Sequence, residues 1–377
     1  MTVYSRTNPY IAKLLSRHRL NKSGSTKETW HVVVDVKGVD IAYRPGDSFG
    51  ICPENDHDTV RAIVETCGFS GHEMIMDPRS QESFQIASWL TKRANLVTAT
   101  RKFLQEFVKR KAEHIEILLA PEQEEKFKEF TSHYTVAEIL HMHPEAKLQP
   151  QELASTLGPL LPRLYSIASS QHVVGDEVHF TVSRVRYEVH GKKRLGVCSH
   201  FLCDMIKEKS HDVPIYLQST KDFLLPEDNQ TPMIMIGPGT GVAPFRAFMQ
   251  ERITRANSTT KNWLFFGERH RECDFFYEEF WQELVASKNL KLDLAFSRDQ
   301  SEKVYVQHKM WQAKKELWNW LQDGAKIYVC GDAERMAKDV DKCLQDIVKE
   351  QAGISEESAR HFLTDLRRQK RYLRDIY

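Results

Sequence analysis

The chain has 377 residues, of which 41% are hydrophobic, so it is long enough for two or three domains with ordinary cores. Its 53 Lys and Arg residues nearly balance 52 Asp and Glu residues, and a net charge of +1 excludes nucleic-acid recognition by overall charge. Seven cysteines occur singly without a C-x-x-C pair, which favours a reducing compartment. Residues 1–6 lack the apolar run of a signal peptide, and Met233–Ile236 is too short to cross a bilayer. We therefore expect a soluble cytoplasmic protein.

The first part of the chain predicts an antiparallel β-domain that a helical segment interrupts. Trp30–Val36 is rich in β-branched residues, and the turn Arg44–Asp47 precedes a short apolar run, Phe49–Cys52. Residues 58–148 change to helical periodicity with many charges. Strand patterns return at Leu164–Ser169 and Val178–Arg186. We then expect a helix that has Ser199 as its N-cap and ends at Lys207.

After Pro226 the pattern alternates between buried strands, glycine turns and helices. This alternation predicts a doubly wound parallel sheet, which binds ligands at the carboxyl ends of its strands. The predicted strands are Met233–Ile236, Trp263–Phe266, Leu292–Phe296 and Ile327–Cys330. The fold class is thus α+β followed by α/β, and we divide the chain at residues 1–57 with 150–225, 58–149, and 226–377.

Two glycine-containing turns have the composition of anion-binding sites. Gly237–Pro244 follows a strand and opens a helix, so its backbone can approach a pyrophosphate at a helix N-terminus. Gly196–Ser199 precedes the expected helix at 200–207, and Arg163 supplies a fork for a phosphate. Each feature alone is equally typical of a tight turn, a helix cap or a surface arginine.

Polar residues after the third predicted strand suit the adenosine 2′-phosphate of NADPH. Ser297 and Arg298 are followed by Lys303 and Tyr305, whereas an NAD site more often has an acidic residue near that ribose. A solvated basic loop is the alternative.

The basic run Arg367–Arg374 has three interpretations: a docked tail, a nucleic-acid patch, or a solvated helix face, which we favour.

Other polar residues carry less chemistry. His141 and His143 lack neighbouring Cys ligands, so we expect surface residues and no metal site. Ser166 lacks a Gly-x-Ser-x-Gly frame, which argues against a hydrolase.

Taken together and in this order, these segments resemble the FAD/NADPH module of the diflavin reductase family, most of all its sulfite reductase flavoprotein branch. Six matching stretches in a fixed order are specific, unlike any one of them alone. The stretches are Pro162–Ser170, Met235–Gln250, Asn262–Gly267, Ala295–Gln307, Ile327–Val340 and Arg371–Tyr377.

The resemblance implies a ferredoxin-reductase-like fold: an antiparallel β-barrel for FAD (residues 1–57 and 150–225), a helical connecting insertion (58–149) and a Rossmann-like NADPH domain (226–377). By residue matching, Arg163 holds the FAD pyrophosphate, Tyr165 packs on the flavin ring and Ser166 hydrogen-bonds near its N5 atom. The other residues matched to FAD contacts are Thr91, Leu164, Thr181, Val182, Ser183, Tyr187, Gly196, Val197, Cys198 and Ser199. His200 departs from the family, whose members usually have Ser or Asn there.

The same matching implies an NADPH site and a catalytic group. The NADPH residues are Gly239, Thr240, Gly241, Ser297, Arg298, Lys303, Val304, Tyr305, Val306, Gln307 and Asp339. Cys330 and Asp375 match the polar groups beside the nicotinamide, and Tyr377 matches the aromatic residue that stacks on the flavin. With Ser166, which matches the group near the flavin N5 atom, Cys330 and Asp375 form the set that would hold the reacting geometry.

The implied activity is hydride transfer from NADPH to FAD, then single-electron transfer to a separate acceptor: a flavodoxin or FMN protein, a ferredoxin, or the sulfite reductase hemoprotein. The family normally has a flavodoxin-like FMN domain ahead of the segment that begins at Asn8. Either the chain is a stand-alone FAD subunit, or it is a module taken from a longer protein. The alternatives are a ferredoxin– or flavodoxin–NADP reductase, and a non-catalytic nucleic-acid or scaffold protein.

Overall fold

The structure is a computed structural model that describes residues 4–38, 41–255 and 260–377. Half of the hexapeptide used to argue against a signal peptide, residues 1–3, lies outside these ranges. The chain divides into two compact units. The first comprises Met1–Gly50, Leu164–Arg184 and Lys207–Tyr377, and the second comprises Ile51–Arg163 and Val185–Ile206.

The chain begins with strands and then becomes helical. The strands are β1 (Tyr10–Arg19), β2 (Thr29–Asp35) and β3 (Ser48–Ile51). The next elements are α1 (His57–Cys67), β4 (Met74–Met76), β5 (Ser83–Gln85), α2 (Ile86–Lys92), α3 (Arg101–Val108), α4 (Glu113–Leu119), α5 (Glu124–His133), α6 (Val136–Met142) and α7 (Pro150–Thr156).

Helices α1–α7 have their own core, which contains Trp89, Phe103, Phe107, Ile139 and Leu153. The N-terminus of α1 is capped by the Asp56 side chain, whose carboxylate accepts a hydrogen bond from the Thr59 amide at 2.9 Å. One expectation was wrong here. His143 is only 8% exposed and its ring stacks on that of His114, because it lies beside Phe107 in this core. His141 is exposed, as expected.

Strands return after the helical segment. They are β6 (Arg163–Ser166) and, after α8 (Gln171–Val174), β7 (Glu177–Ser183), β8 (Arg186–Val189) and β9 (Lys192–Leu195), followed by α9 (Val197–His200) and β10 (Asp212–Gln218). Ser199 was wrongly predicted as an N-cap. Gly196 occupies that position, and a π-helical turn, Phe201–Met205, continues α9, so the helix ends earlier than predicted.

The predicted antiparallel β-domain is confirmed. Six strands form one sheet in the order β6-β3-β10-β1-β2-β7, with β1 antiparallel to β10 and β2, and β2 antiparallel to β7. An antiparallel bridge between Ile167 and Phe180 joins the end of β6 to β7, the opposite edge, and thereby closes the sheet. Alternating side chains such as Val32, Val34 and Phe49 are fully buried inside.

The rest of the chain alternates strands and helices, as predicted. The elements are β11 (Met233–Ile236), α10 (Ala243–Arg255), β12 (Asn262–Glu268), α11 (Arg271–Asp274), α12 (Glu278–Ala286), β13 (Lys291–Phe296), α13 (Val306–Gln312), α14 (Lys314–Gln322), β14 (Lys326–Gly331), α15 (Met336–Ala352), α16 (Glu356–Arg368) and β15 (Tyr372–Ile376).

Strands β11–β15 form a parallel sheet in the order β13-β12-β11-β14-β15. Its inner strands are buried on both faces, which explains their continuous apolar runs. The order changes direction between β11 and β14, so the carboxyl ends of these two strands form the crevice where such sheets bind ligands.

The basic run Arg367–Arg374 was wrongly predicted to be a solvated helix face. Only its beginning is helical, and Tyr372–Ile376 forms the edge strand β15. The Arg371 guanidinium donates to the carbonyl of Leu321 at 2.6 Å, and Arg367 pairs with Asp341. Arg371 thus ties the segment before β15 to α14, and Arg367 joins α16 to α15. Among the described residues, no helix is both long and apolar enough to span a membrane.

Candidate active site

The turn after β11 leaves no room for a side chain at Gly237 or Gly241. A Cβ at Gly241 would lie 2.1 Å from the carbonyl oxygen of Cys330, at the end of the neighbouring strand β14. Gly239 has a φ of +58°, a backbone conformation that favours glycine. The turn therefore presents bare backbone at the crevice, and this is the arrangement that a pyrophosphate requires.

This turn lines a cavity of about 280 Å³. Ser183 enters from the end of β7, and Tyr377 and the end of β14 complete the opposite wall. The full lining is Lys27, Thr29, Ser183, Pro238, Gly239, Thr240, Glu268, Gly331, Asp332 and Tyr377. Sequence reasoning missed five of these residues, Lys27, Thr29, Glu268, Gly331 and Asp332. The signal for Glu268 and Asp332 was present, because each lies at the carboxyl end of a parallel strand; Lys27 had no local signal.

Three polar groups meet at the ends of β6, β14 and β15. Cys330 and Asp375 are register partners in the parallel sheet, which places their side chains together. The Ser166 hydroxyl donates to Asp375 Oδ2 at 2.7 Å, and the Cys330 thiol approaches the same oxygen at 3.8 Å. One carboxylate thus accepts from two neutral donors and fixes their orientation.

Cys330 is a hydrogen-bond donor and not a nucleophile. It is fully buried, and burial, with the neighbouring Asp375 carboxylate, raises the pKa of its thiol well above the usual range. A thiol with a raised pKa keeps its proton at neutral pH.

Tyr377 lies at the edge of the cavity. Its amide donates to the Gly331 carbonyl at 3.1 Å, and its hydroxyl lies 2.9 Å from that of Thr240 in the glycine turn. The side chain is 58% exposed. It is therefore anchored through its backbone while its ring remains accessible.

The residues predicted for the 2′-phosphate gather at the carboxyl end of β13 and the start of α13. The Ser297 amide donates to the Glu268 carbonyl at 2.8 Å, which ties β13 to β12. Arg298, Lys303 and Tyr305 are exposed, Val304 is half-buried, and Val306 is buried under them. Gln307 donates to Asp339 at 3.2 Å. Two exposed cations thus face solvent within six residues of chain.

The residues predicted to contact the flavin from strands β6 and β7 differ in accessibility. Leu164 is exposed, Tyr165 is half-buried and its ring centroid lies 6.2 Å from that of Phe180. Val182 is fully buried inside the barrel. Thr181 is buried, and its hydroxyl lies 2.7 Å from the Tyr277 hydroxyl, so its side chain forms a hydrogen bond inside the protein.

The remaining predicted FAD residues belong to the second unit. Arg163 and Tyr187 are exposed. The turn Gly196–Ser199, with Val197 half-buried and Cys198 buried, is braced by the Ser199 hydroxyl, which donates to the Gly196 carbonyl and accepts from the Val185 amide. His200 bonds Asp204 at 2.7 Å. Thr91 donates its hydroxyl to Ala87 in its own helix, at 2.8 Å.

The fold and the site define a flavin oxidoreductase module that combines a closed antiparallel barrel with a parallel sheet bearing a dinucleotide-type glycine turn. The sequence of the chain matches two protein-family models. The FAD binding domain family matches residues 3–201, and the oxidoreductase NAD-binding domain family matches residues 235–342. The chain belongs to the FAD binding domain family.

Curated relatives share this module. The chain is 40% identical over 376 residues to the sulfite reductase [NADPH] flavoprotein alpha-component of Bacillus subtilis, covering 99% of the chain and 62% of that protein. It is 40% identical over 375 residues to the protein of that name from Vibrio cholerae, covering 99% and 60%. The Mannheimia succiniciproducens protein is 39% identical, with 99% and 62% covered. The chain thus spans about three fifths of these relatives.

Proposed function

We propose that the chain is an NADPH-dependent FAD flavoprotein reductase that passes electrons singly to a separate acceptor protein. The observation that carries this proposal is the hydrogen-bonded group Ser166–Asp375–Cys330, which lies at the strand ends beside the bare glycine turn. When bound, FAD would supply the redox chemistry that connects a two-electron donor to a one-electron acceptor.

The protein's own contribution is orientation. Asp375 accepts from Ser166 and Cys330, so both donors point in directions set by one carboxylate. Such a rigid polar group can hold a carboxamide or a ring nitrogen in place, and small errors in the distance between reacting atoms cost large factors in rate. The raised pKa of Cys330 keeps a second negative charge out of this site.

Preference for NADPH over NADH is assigned to Arg298 and Lys303. Both are exposed beside Ser297 at the end of β13, and a guanidinium can bind a phosphate through two parallel hydrogen bonds. Tyr305 offers an exposed ring next to them for the adenine.

The acceptor is proposed from the relatives and from the electron count. It is a flavodoxin or FMN protein, a ferredoxin, or a sulfite reductase hemoprotein, because each takes electrons singly. The relatives are named as components of an NADPH sulfite reductase, which favours the last destination for this chain. The cytoplasm is the proposed location, and it suits seven cysteines that are all free thiols.

The decisive experiment is the visible spectrum of the purified protein with and without NADPH, in the absence of oxygen. We expect a flavin band that NADPH bleaches and that NADH bleaches far more slowly. A bound flavin that NADPH leaves oxidised would contradict the nucleotide assignment. A protein that binds no flavin on reconstitution would contradict the whole proposal. Rates with each purified acceptor then separate this activity from that of a ferredoxin– or flavodoxin–NADP reductase.

A further inference from the structure

A carboxylate lies in the cavity whose other features suit an anion. Glu268 is the last residue of β12, and its side chain is only 3% exposed. Its Oε1 lies 3.5 Å from the place where a Cβ on Gly239 would be, so it is next to the glycine turn. A phosphate group on that turn would therefore meet a nearby negative charge.

Both oxygens of this carboxylate already have partners. One pairs with the ammonium group of Lys27, which precedes β2 and also lines the cavity. The other accepts from the Arg269 amide at 2.7 Å. Glu268 thus engages the cation on this wall, and the ten lining side chains carry one ammonium group and two carboxylates, those of Glu268 and Asp332.

The second carboxylate has a structural task. Asp332 accepts from the amides of Arg335 at 2.7 Å and Met336 at 3.1 Å, and these bonds lower the pKa of Asp332, so it stays ionised at the start of α15. Among the described residues, the Glu268 side chain caps no helix, and its ion pair with Lys27 lies inside the cavity. It is therefore the charge in the lining that can change without disturbing an element of the fold.

We propose that Glu268 limits the affinity for the nucleotide: it neutralises Lys27 and repels the pyrophosphate, so the oxidised nucleotide leaves faster. This inference rests on the proposed function and deepens it. It divides the nucleotide site into two parts. The exposed cations near Ser297 contribute most of the affinity, and the glycine turn binds the pyrophosphate weakly because Glu268 is next to it.

The test is binding of NADP⁺ to the FAD-loaded Glu268→Gln protein, measured by calorimetry and by the change in the flavin spectrum. Glutamine keeps the shape and the acceptor for the Arg269 amide but removes the charge. From Coulomb's law at an effective dielectric constant of 20, reduced for solvent, we expect Kd to fall about three- to tenfold. The difference between variant and wild type should shrink as ionic strength rises.

The chain offers a matched control in Glu278→Gln. Glu278 pairs with Lys22 at 2.7 Å, also between the segment before β2 and the nucleotide-binding part, but outside the cavity lining. Its removal should leave Kd unchanged. In a Lys27→Met background the gain from Glu268→Gln should be smaller, because no ammonium group is released.

Each outcome decides something. An unchanged or higher Kd for Glu268→Gln, with normal FAD content and thermal stability, overturns the inference. Equal tightening by Glu278→Gln overturns it too, because the effect would then be one of overall charge. If the wild type fails to bind NADP⁺ at all, the proposed function itself fails, and this result is distinguishable because it appears before any variant is compared.

Discussion

The two ends of the proposed nucleotide site are built differently. At the end near Ser166, Cys330 and Asp375, the groups are half-buried or buried and hold one another through hydrogen bonds. At the other end, Arg298 and Lys303 are exposed. The first end is held by hydrogen bonds within the protein, whereas the second presents its cations to solvent.

This difference separates two tasks. A fixed arrangement suits a reaction whose rate depends on the positions of the reacting atoms. Because the polar groups are already oriented, little free energy is spent on reorienting them during the reaction. Exposed cations suit recognition, because a phosphate forms charge-assisted hydrogen bonds with a guanidinium or an ammonium group. Mutations at the two ends should therefore affect different measurements.

The largest effect is expected for Asp375→Asn. It removes the charge that orients Ser166 and Cys330 while keeping the size of the side chain, so the rate of flavin reduction by NADPH should fall about 100-fold. Stopped-flow absorbance measures this rate, and Kd for NADP⁺ should change by less than about threefold. Asp365→Asn on helix α16 is the control. A reduction rate that stays within a factor of two of wild type would show that the fixed end does not position the reactants.

Arg298→Ala should weaken binding instead of slowing the chemistry. A charge-assisted bond to phosphate contributes roughly 1.5–3 kcal/mol, so Kd for NADP⁺ should rise about 10- to 100-fold while NAD⁺ binding is unaffected. Calorimetry with both nucleotides measures this. Arg360→Ala, at an exposed Arg that pairs with Glu356, is the control. Equal losses with both nucleotides would mean that the phosphate binds elsewhere.

Tyr377→Ala should have a smaller effect, of opposite sign. Removing an accessible ring from the cavity edge should let a loosely held nicotinamide approach, so kcat/KM with NADH should rise severalfold. Tyr377→Phe separates the ring from its hydroxyl contact with Thr240 and should behave like wild type. Unchanged NADH use in Tyr377→Ala would place the ring away from the path of the nicotinamide.

The smallest expected effect concerns pH. Because the raised pKa of Cys330 keeps its thiol protonated, no charge appears beside Asp375 between pH 7 and 9. The rate of flavin reduction, measured at saturating NADPH, should be flat over that range, and Cys330→Ser should share the flat profile. A fall in rate centred near pH 8.5 in wild type alone would show an ordinary thiol there.

The parallel sheet was predicted well because each of its inner strands is marked by a short apolar run in the sequence itself. Met233–Ile236 is the observed β11 without a change of boundary, and the apolar runs of β12–β14 are within two residues of theirs at either end. Buried parallel strands need continuous apolar residues, so their pattern does not depend on distant partners.

The C-terminal strand and the missed cavity residues depend on contacts far away in the chain. Tyr372–Ile376 contains the adjacent charged residues Arg374 and Asp375, and its pairing with β14 makes it a strand. Lys27 reaches the cavity only because Glu268, 241 residues later, pairs with it. Similarly, serine is a residue type favoured at N-caps, but the Ser199 hydroxyl instead donates to the carbonyl of Gly196 in the turn before it. The roles of the individual site residues stay predictions until the variants are measured.

The glycine turn has an evolutionary consequence. At Gly241 the carbonyl of Cys330 excludes any side chain, so this end of the site tolerates almost no substitution. Arg298 and Lys303 are exposed, and replacing them removes no buried packing. Under the proposed function, coenzyme preference is therefore set by residues whose replacement costs little stability. We then expect that a lineage, or a directed-evolution experiment, can exchange NADPH for NADH through a few surface changes while the buried scaffold stays the same.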